Sequence, residues 1–139
     1  MKRLLPILLL VFSVGAGAET ITYNDGTYVG EVLNFLPHGH GTRTWHDGET
    51  YVGDHKHWKR TGKGTFTSSK RTGGYKYVGD FVNGQWHGQG THVSGGYTYS
   101  GGFKTGLRHG HGTETRPDGI ESYVGEWRNG QRWKGTKYT

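Results

Sequence analysis

A tyrosine two residues before a glycine recurs five times along this chain, as Tyr28-Val29-Gly30, Tyr51-Val52-Gly53, Tyr77-Val78-Gly79, Tyr99-Ser100-Gly101 and Tyr123-Val124-Gly125. The tyrosines are 23, 26, 22 and 24 residues apart. Eleven and thirteen residues after each of the first four stand two more glycines: Gly39 and Gly41, Gly62 and Gly64, Gly88 and Gly90, Gly110 and Gly112. A threonine follows each pair, as Thr42, Thr65, Thr91 and Thr113. Matches at fixed offsets in consecutive units mean one supersecondary element repeated, an element that is stable only by stacking on its neighbours.

Within a unit the period is two. Tyrosine, glycine and an apolar residue occupy offsets 0, 2 and 4 from the tyrosine (Val32, Phe81, Phe103 and Trp127, with His55 the exception), so one face of a strand carries all three. The second segment, Gly-x-Gly-Thr, also alternates and is rich in β-branched threonine. Between the segments lie turn formers such as Asn83-Gly84, Thr105-Gly106 and Asn129-Gly130, while Asp47-Gly48, Gly95-Gly96 and Asp118-Gly119 separate units. These dipeptides supply the positive φ that tight hairpins need. Each unit reads as a β-hairpin, and the chain as an all-β, single-layer twisted antiparallel sheet of about five stacked hairpins.

The stock of residues fits no ordinary core. Beyond position 18 only twelve residues are Ile, Leu or Val, and neither Ala nor Met occurs. Nine Tyr, five Trp and four Phe must do the burying there, with 25 glycines among them. Glycine weakens a strand unless a ring or another chain segment comes close to its bare backbone. The alternation therefore predicts aromatic rings lying across the glycines of adjacent strands.

The pattern Tyr-x-Gly-x-(aromatic)-x-Asn-Gly-x-x-His-Gly-x-Gly-Thr resembles the MORN repeat (membrane occupation and recognition nexus). Residues 77–91, YVGDFVNGQWHGQGT, match it nearly throughout, and 99–113 and 28–42 match well. The resemblance covers a domain over 19–139, with a half unit at 20–27 and repeats starting at 28, 51, 77, 99 and 123. It implies a solenoid of hairpins that scaffolds proteins or associates with membranes, and enzymatic members of the family carry a separate kinase or methyltransferase domain. Two units depart from the pattern. The second has Trp58 in place of glycine, Thr61 in place of histidine and a longer return loop, Ser68 to Lys76; the last is one residue short at Trp133-Lys134-Gly135-Thr136.

The first residues read as a leader: Met1-Lys2-Arg3, an apolar run from Leu4 to Val14, and Gly15-Ala16-Gly17-Ala18. A basic head, a short apolar run and small residues before a cleavage point make a secretory signal peptide over 1–18. The expectation is an exported, bacterial-type protein, periplasmic or secreted, whose formal charge falls from +6 to +4 with the loss of Lys2 and Arg3. The absence of cysteine excludes disulfides and thiolate chemistry.

Nine histidines invite a metal reading, above all in HGHGT at His38–Thr42 and again at His109–Thr113. Two ligands do not make a zinc site, which needs three or four. Offset 12 holds His40 and His111 but Lys63 and Gln89 in the units between, so the glycines and threonine define the motif. No metal or other cofactor is expected. Gly62-Lys63-Gly64-Thr65 lacks the strand, spacing and helix of a phosphate loop. With no nucleophile elbow and no carboxylate pair placed across a cleft, the chain reads as non-enzymatic, without catalytic residues.

What remains is binding. Between Tyr51 and Lys76 lie Lys56, Lys59, Arg60, Lys63, Lys70, Arg71 and Lys76 against the single acid Asp54, with Trp58 among them. Lys56, Trp58, Lys59, Arg60, Lys63, Lys70 and Arg71 are the candidate site for an anionic ligand, which a positive patch attracts. The function expected is a binding or scaffolding module for a protein partner or an anionic envelope or lipid surface, with nucleic acid disfavoured. A carbohydrate or cell-wall module is the alternative, suggested by rings such as Trp86, and a metal-binding secreted protein comes third. An open terminal strand could also pair two copies.

Overall fold

The computed structural model of the chain describes residues 9–10 and 17–139, the first two as backbone alone. The strands are β1 Leu9–Leu10, β2 Glu19–Tyr23, β3 Gly26–Leu33, β4 Leu36–Trp45, β5 Thr50–Lys56 and β6 Lys59–Thr67. They continue as β7 Lys76–Val82, β8 Gln85–Ser94, β9 Tyr97–Lys104, β10 Leu107–Thr115, β11 Glu121–Arg128 and β12 Gln131–Lys137. All twelve form one antiparallel sheet in sequence order. Each unit is a hairpin whose second strand pairs with the first strand of the next. The expected leader falls outside the described residues, apart from β1, Gly17 and Ala18. The half unit at 20–27 proves to be most of β2, a two-residue turn and the first residues of β3.

One face of the sheet carries the core. Tyr28, Tyr51, Tyr77 and Tyr99 are fully buried and Tyr123 nearly so. Each hydroxyl donates to the carbonyl three residues on: Tyr28 to Glu31, Tyr51 to Asp54, Tyr77 to Asp80, Tyr99 to Gly102 and Tyr123 to Glu126, at 2.7–3.0 Å. The bond tips each ring along its own strand, so that it lies over the glycines. A Cβ on Gly64 would fall 2.5 Å from Tyr51 Oη, and one on Gly90 2.5 Å from Tyr77 Oη, distances that no side chain tolerates. Gly30, Gly53, Gly79, Gly101 and Gly125 face the Cα of the partner strand's glycine equally closely. Glycine here is the space the ring needs.

The offset 4 residues complete a continuous ladder. Phe81 packs T-shaped on Tyr51 and Tyr77, Phe103 on Tyr77 and Tyr99, and Trp127 on Tyr99 and Tyr123, all with ring centroids 5.0–5.2 Å apart. Such pairs contribute about 0.5–1.5 kcal/mol each beyond area burial. His55 fills the same place between Tyr28 and Tyr51, 5.0 Å from each.

The two glycines of Gly-x-Gly have different jobs. Gly39, Gly62, Gly88 and Gly110 have φ between 59° and 74°. They sit where the hairpin register slips: the pairing is interrupted between Gly30 and Val32, Gly53 and Asp54, Gly79 and Phe81, and Arg108 and Gly112. The left-handed residue is the bulge. The offset 3 acid stabilises it in two units, since Glu31 accepts from His40 N (3.2 Å) and Asp80 from Gln89 N (2.9 Å). Gly41, Gly64, Gly90 and Gly112 are the ones that admit the tyrosine ring.

Candidate functional site

A meander puts its turns on two edges. Along one edge run the five hairpin tips: Leu33–Leu36, Lys56–Lys59, Val82–Gln85, Lys104–Leu107 and Arg128–Gln131. Both central residues of each tip have positive φ: Asn34 and Phe35, His57 and Trp58, Asn83 and Gly84, Thr105 and Gly106, Asn129 and Gly130. That is the type I′ geometry, which favours glycine second. The second to fifth tips are tied together, because Gly84 N donates to Arg60 O, Gly106 N to Trp86 O and Gly130 N to Arg108 O at 2.8–2.9 Å. The result is a rigid row. Leu33, Phe35, Val82 and Leu107 project from it 47–58% exposed. Lys56, Lys59, Lys104 and Arg128 are exposed beside them, and no tip carries an acid.

The second feature lies on the ringed face. A groove of about 1260 Å³ runs from the β2–β3 turn to β8, with Trp45, Trp58, Phe66, Tyr75 and Trp86 among its walls. Four of those rings form a chain: Trp45 to Phe66 (6.2 Å), Phe66 to Tyr75 (5.7 Å) and Tyr75 to Trp86 (5.8 Å). Trp86 is stacked flat on Tyr77, 4.4 Å between centroids. Trp58 leaves the row of tips to pack 4.5 Å from Tyr23 of β2.

Charge in the groove is fixed by rings. The Arg60 guanidinium lies over Phe66 (5.2 Å), Phe81 (5.4 Å) and Tyr51 (5.8 Å), and donates to Gly84 O at 2.8 Å. Arg43 lies over Tyr23 at 4.4 Å and pairs with Asp25. Cations over ring faces gain about 0.5–2 kcal/mol. Burial pushes the Tyr51 hydroxyl up to about 12 and the His55 imidazole down to about 4. Two buried polar atoms of lining residues have no partner, Arg43 Nη1 and His55 Nδ1.

The seven candidate residues of the second unit do not form one patch. Trp58, Lys59, Arg60 and Arg71 line the groove, and Lys56, Lys63 and Lys70 do not. Arg60 is held over rings in the place that Trp86, Arg108 and Arg132 take in later units, so it is a packed cation and not a free one. Lys63 stands on the reverse face, paired with Asp80. Lys70 and Arg71 belong to a short 3₁₀ turn, Lys70–Thr72, at the far edge from the tips. The charge cluster seen in sequence is spread over both faces and both edges because neighbours in a hairpin point apart.

The histidines divide likewise. His40 Nδ1 is 3.2 Å from Asp54 and His111 Nδ1 3.2 Å from Glu126, across the seam between consecutive units. Lys63 and Asp80 hold the same register, and Gln89 faces Gly102 there. Among the described residues no three His, Asp or Glu side chains gather as a metal site. His55 and His57 share no face: His57 falls in the turn, exposed, while His55 is buried. Sequence reading passed over Phe35, which breaks the glycine rule at the same offset as Trp58 and could have been found by it. It also passed over Arg43 and Trp45, since no other unit has an arginine at the first offset or an aromatic residue at the second.

The chain matches the family model for the MORN repeat at 28–50, 77–97, 99–121 and 123–133, together more than half its length. It is also similar to MORN repeat-containing protein 3 of Xenopus laevis, 40% identical over 82 residues, a stretch that makes up 56% of this chain and 34% of that protein. The chain thus spans about a third of that relative. The unmatched interval 51–76 is the second unit, whose strands and loop form much of the groove.

Proposed function

The chain belongs to the MORN-repeat family, and from that premise we propose that it is a non-catalytic, exported binding module recruited to an anionic envelope surface through its row of hairpin tips. The observation that carries this reading is the composition of the row: exposed Leu33, Phe35, Val82 and Leu107 alternate with Lys56, Lys59, Lys104 and Arg128, and no acid interrupts them. Basic side chains at an anionic lipid surface contribute about 1 kcal/mol each. Exposed apolar side chains beside them can enter the headgroup region, and a row whose second to fifth tips are bonded together meets the surface with little backbone ordering cost. The remaining sheet would stand clear as a scaffold.

Sedimentation with phosphatidylglycerol-containing vesicles, against phosphatidylcholine alone, tests it. Binding should need the anionic lipid and fall with salt, and Lys56→Gln with Lys104→Gln should lower partitioning roughly 30-fold, from about 2 kcal/mol lost. Phe35→Gly installs the residue that other tips carry and should weaken binding without unfolding the hairpin. Equal partitioning of wild type and these variants would refute the reading.

A further inference from the structure

We infer that the groove on the ringed face is a binding site for an acidic oligosaccharide, a sugar chain carrying carboxylates, with Trp58 as its stacking lid. The chemistry of the walls suits this ligand. Apart from Pro37 no aliphatic side chain lines the groove. Its apolar surface is therefore aromatic. Rings and planar polar groups suit a sugar, whose C–H faces stack on indole and phenol and whose hydroxyls need donors and acceptors of fixed direction. Asp47 and Glu49 supply acceptors along the rim, and Lys59 and Arg71 supply cations.

Two further observations point to a missing partner. Arg43 and His55 are each more than nine-tenths buried, yet Arg43 Nη1 and His55 Nδ1 have no hydrogen-bond partner. A buried polar atom left unpaired costs about 1–3 kcal/mol, which a ligand carboxylate or hydroxyl would recover. The other is Trp58 itself. At φ 73° it occupies a position where Gly84, Gly106 and Gly130 are free of strain. A bulky side chain at positive φ is unfavourable, and retained strain of this kind gathers at ligand clamps. The indole of this lining residue packs onto Tyr23.

The hairpin-tip reading needs no groove, and although Lys59 belongs to both surfaces the two are tested apart. Titration of the full-length protein with galacturonic acid hexamers, followed by tryptophan fluorescence and calorimetry, should show saturable one-to-one binding that glucose hexamers do not reproduce. Trp58→Gly installs the residue of the last three tips, so the fold is kept while the lid is lost; affinity should fall at least tenfold with the melting temperature unchanged or raised. Trp133→Ala, an exposed indole outside the groove, should leave affinity unchanged. Hexamer binding that survives Trp58→Gly, that follows ionic strength alone, or that is absent for both sugars overturns the inference. Phosphatidylglycerol vesicle binding by Trp58→Gly near the wild-type level, alongside lost hexamer binding, supports it.

Discussion

Replacing His55 by phenylalanine should remove an acid-sensitive weak point from the sheet. His55 stands in the aromatic ladder where Phe81, Phe103 and Trp127 stand in other units, 5% exposed and between two tyrosine rings. Burial lowers its affinity for protons, and the nearby Arg60 guanidinium acts in the same direction, so that it titrates near 4 and not 6.5. The native state therefore binds fewer protons than the unfolded chain between these values, and stability rises with pH across that window. The contribution is fully present above 6.5 and is lost as pH falls toward 4. A shift of this size is worth about 3 kcal/mol at complete burial, and solvent in the groove that His55 lines reduces it to about 2 kcal/mol by pH 4.5. His55→Phe also removes the orphan Nδ1, adding about 1 kcal/mol at neutral pH. Urea unfolding of both proteins at pH 7.5 and 4.5, read by tryptophan fluorescence, isolates the contribution of His55, since other acid-labile groups are common to both. The stability advantage of His55→Phe should grow by about 2 kcal/mol on acidification. An advantage equal at the two pH values would show that the imidazole is not held neutral by its ring neighbours.

The two kinds of glycine should fail differently. Gly90→Ala drives a methyl into the Tyr77 ring and should cost about 3 kcal/mol, while Gly84→Ala, at φ 81° in open space, should cost only about 1 kcal/mol; comparative urea melts decide, and equal losses would contradict the space-for-rings argument. Tyr77→Phe should cost about 1 kcal/mol for its bond to Asp80 O and should partly rescue Gly90→Ala, a less-than-additive pair in a double-mutant cycle. Glu114 accepts from Arg108 at 2.7 Å, from Ser122 at 3.0 Å and from Arg132; burial opposes its ionisation, and these bonds prevail to hold its pKa below the usual 4.5. Glu114→Gln should cost about 1–2 kcal/mol at pH 7 by chemical denaturation, with the difference shrinking as pH falls below 4.5, where the carboxyl protonates in the unfolded chain first and then in the folded one. Lys63→Ala, by contrast, removes an ion pair whose lysine is 77% exposed and should change stability by less than about 1 kcal/mol and anionic vesicle binding not at all.

The fold was legible because its determinants are local and repeated. Tyrosine, the two glycines and the turn dipeptides recur at offsets that only a stacked hairpin explains, and the rings do lie over the glycines as that spacing requires. The site was legible only in part. Trp58, Lys59, Arg60 and Arg71 reach the groove, but their joining with Trp45, Tyr75 and Trp86 depends on how β4, β6, β7 and β8 lie side by side, a property no single strand displays. Lys63 shows why the charge run misled: it is three residues from Arg60, yet the bulge at Gly62 and the alternation of the strand send one to Asp80 on the reverse face and the other into the rings. Arg43 carried no signal at all, since its offset holds Phe66, His92 and Glu114 in other units.

Departures from the repeat separate into two sorts once partners are known. Gln89 departs from the His or Lys found at offset 12 in the first, second and fourth units, but the residue it faces, Gly102, is no acid either, so the departure is compensated within the sheet. His40 and Lys63 differ from each other yet each faces an aspartate. Such paired changes keep the register and need no other explanation. Phe35, Trp58 and His55 are different. Glycine at the first two positions would relieve positive φ, and phenylalanine at the third would satisfy the ladder without an orphan nitrogen, yet the chain keeps residues that cost stability. All three sit in the first two units, where the groove and one end of the hairpin-tip row meet. Rule-breaking that is uncompensated, costly and spatially clustered is what selection for binding leaves in a structure whose other positions are dictated by packing. The regular units are thus best understood as the rigid frame that holds the irregular ones at a fixed angle to whatever they bind.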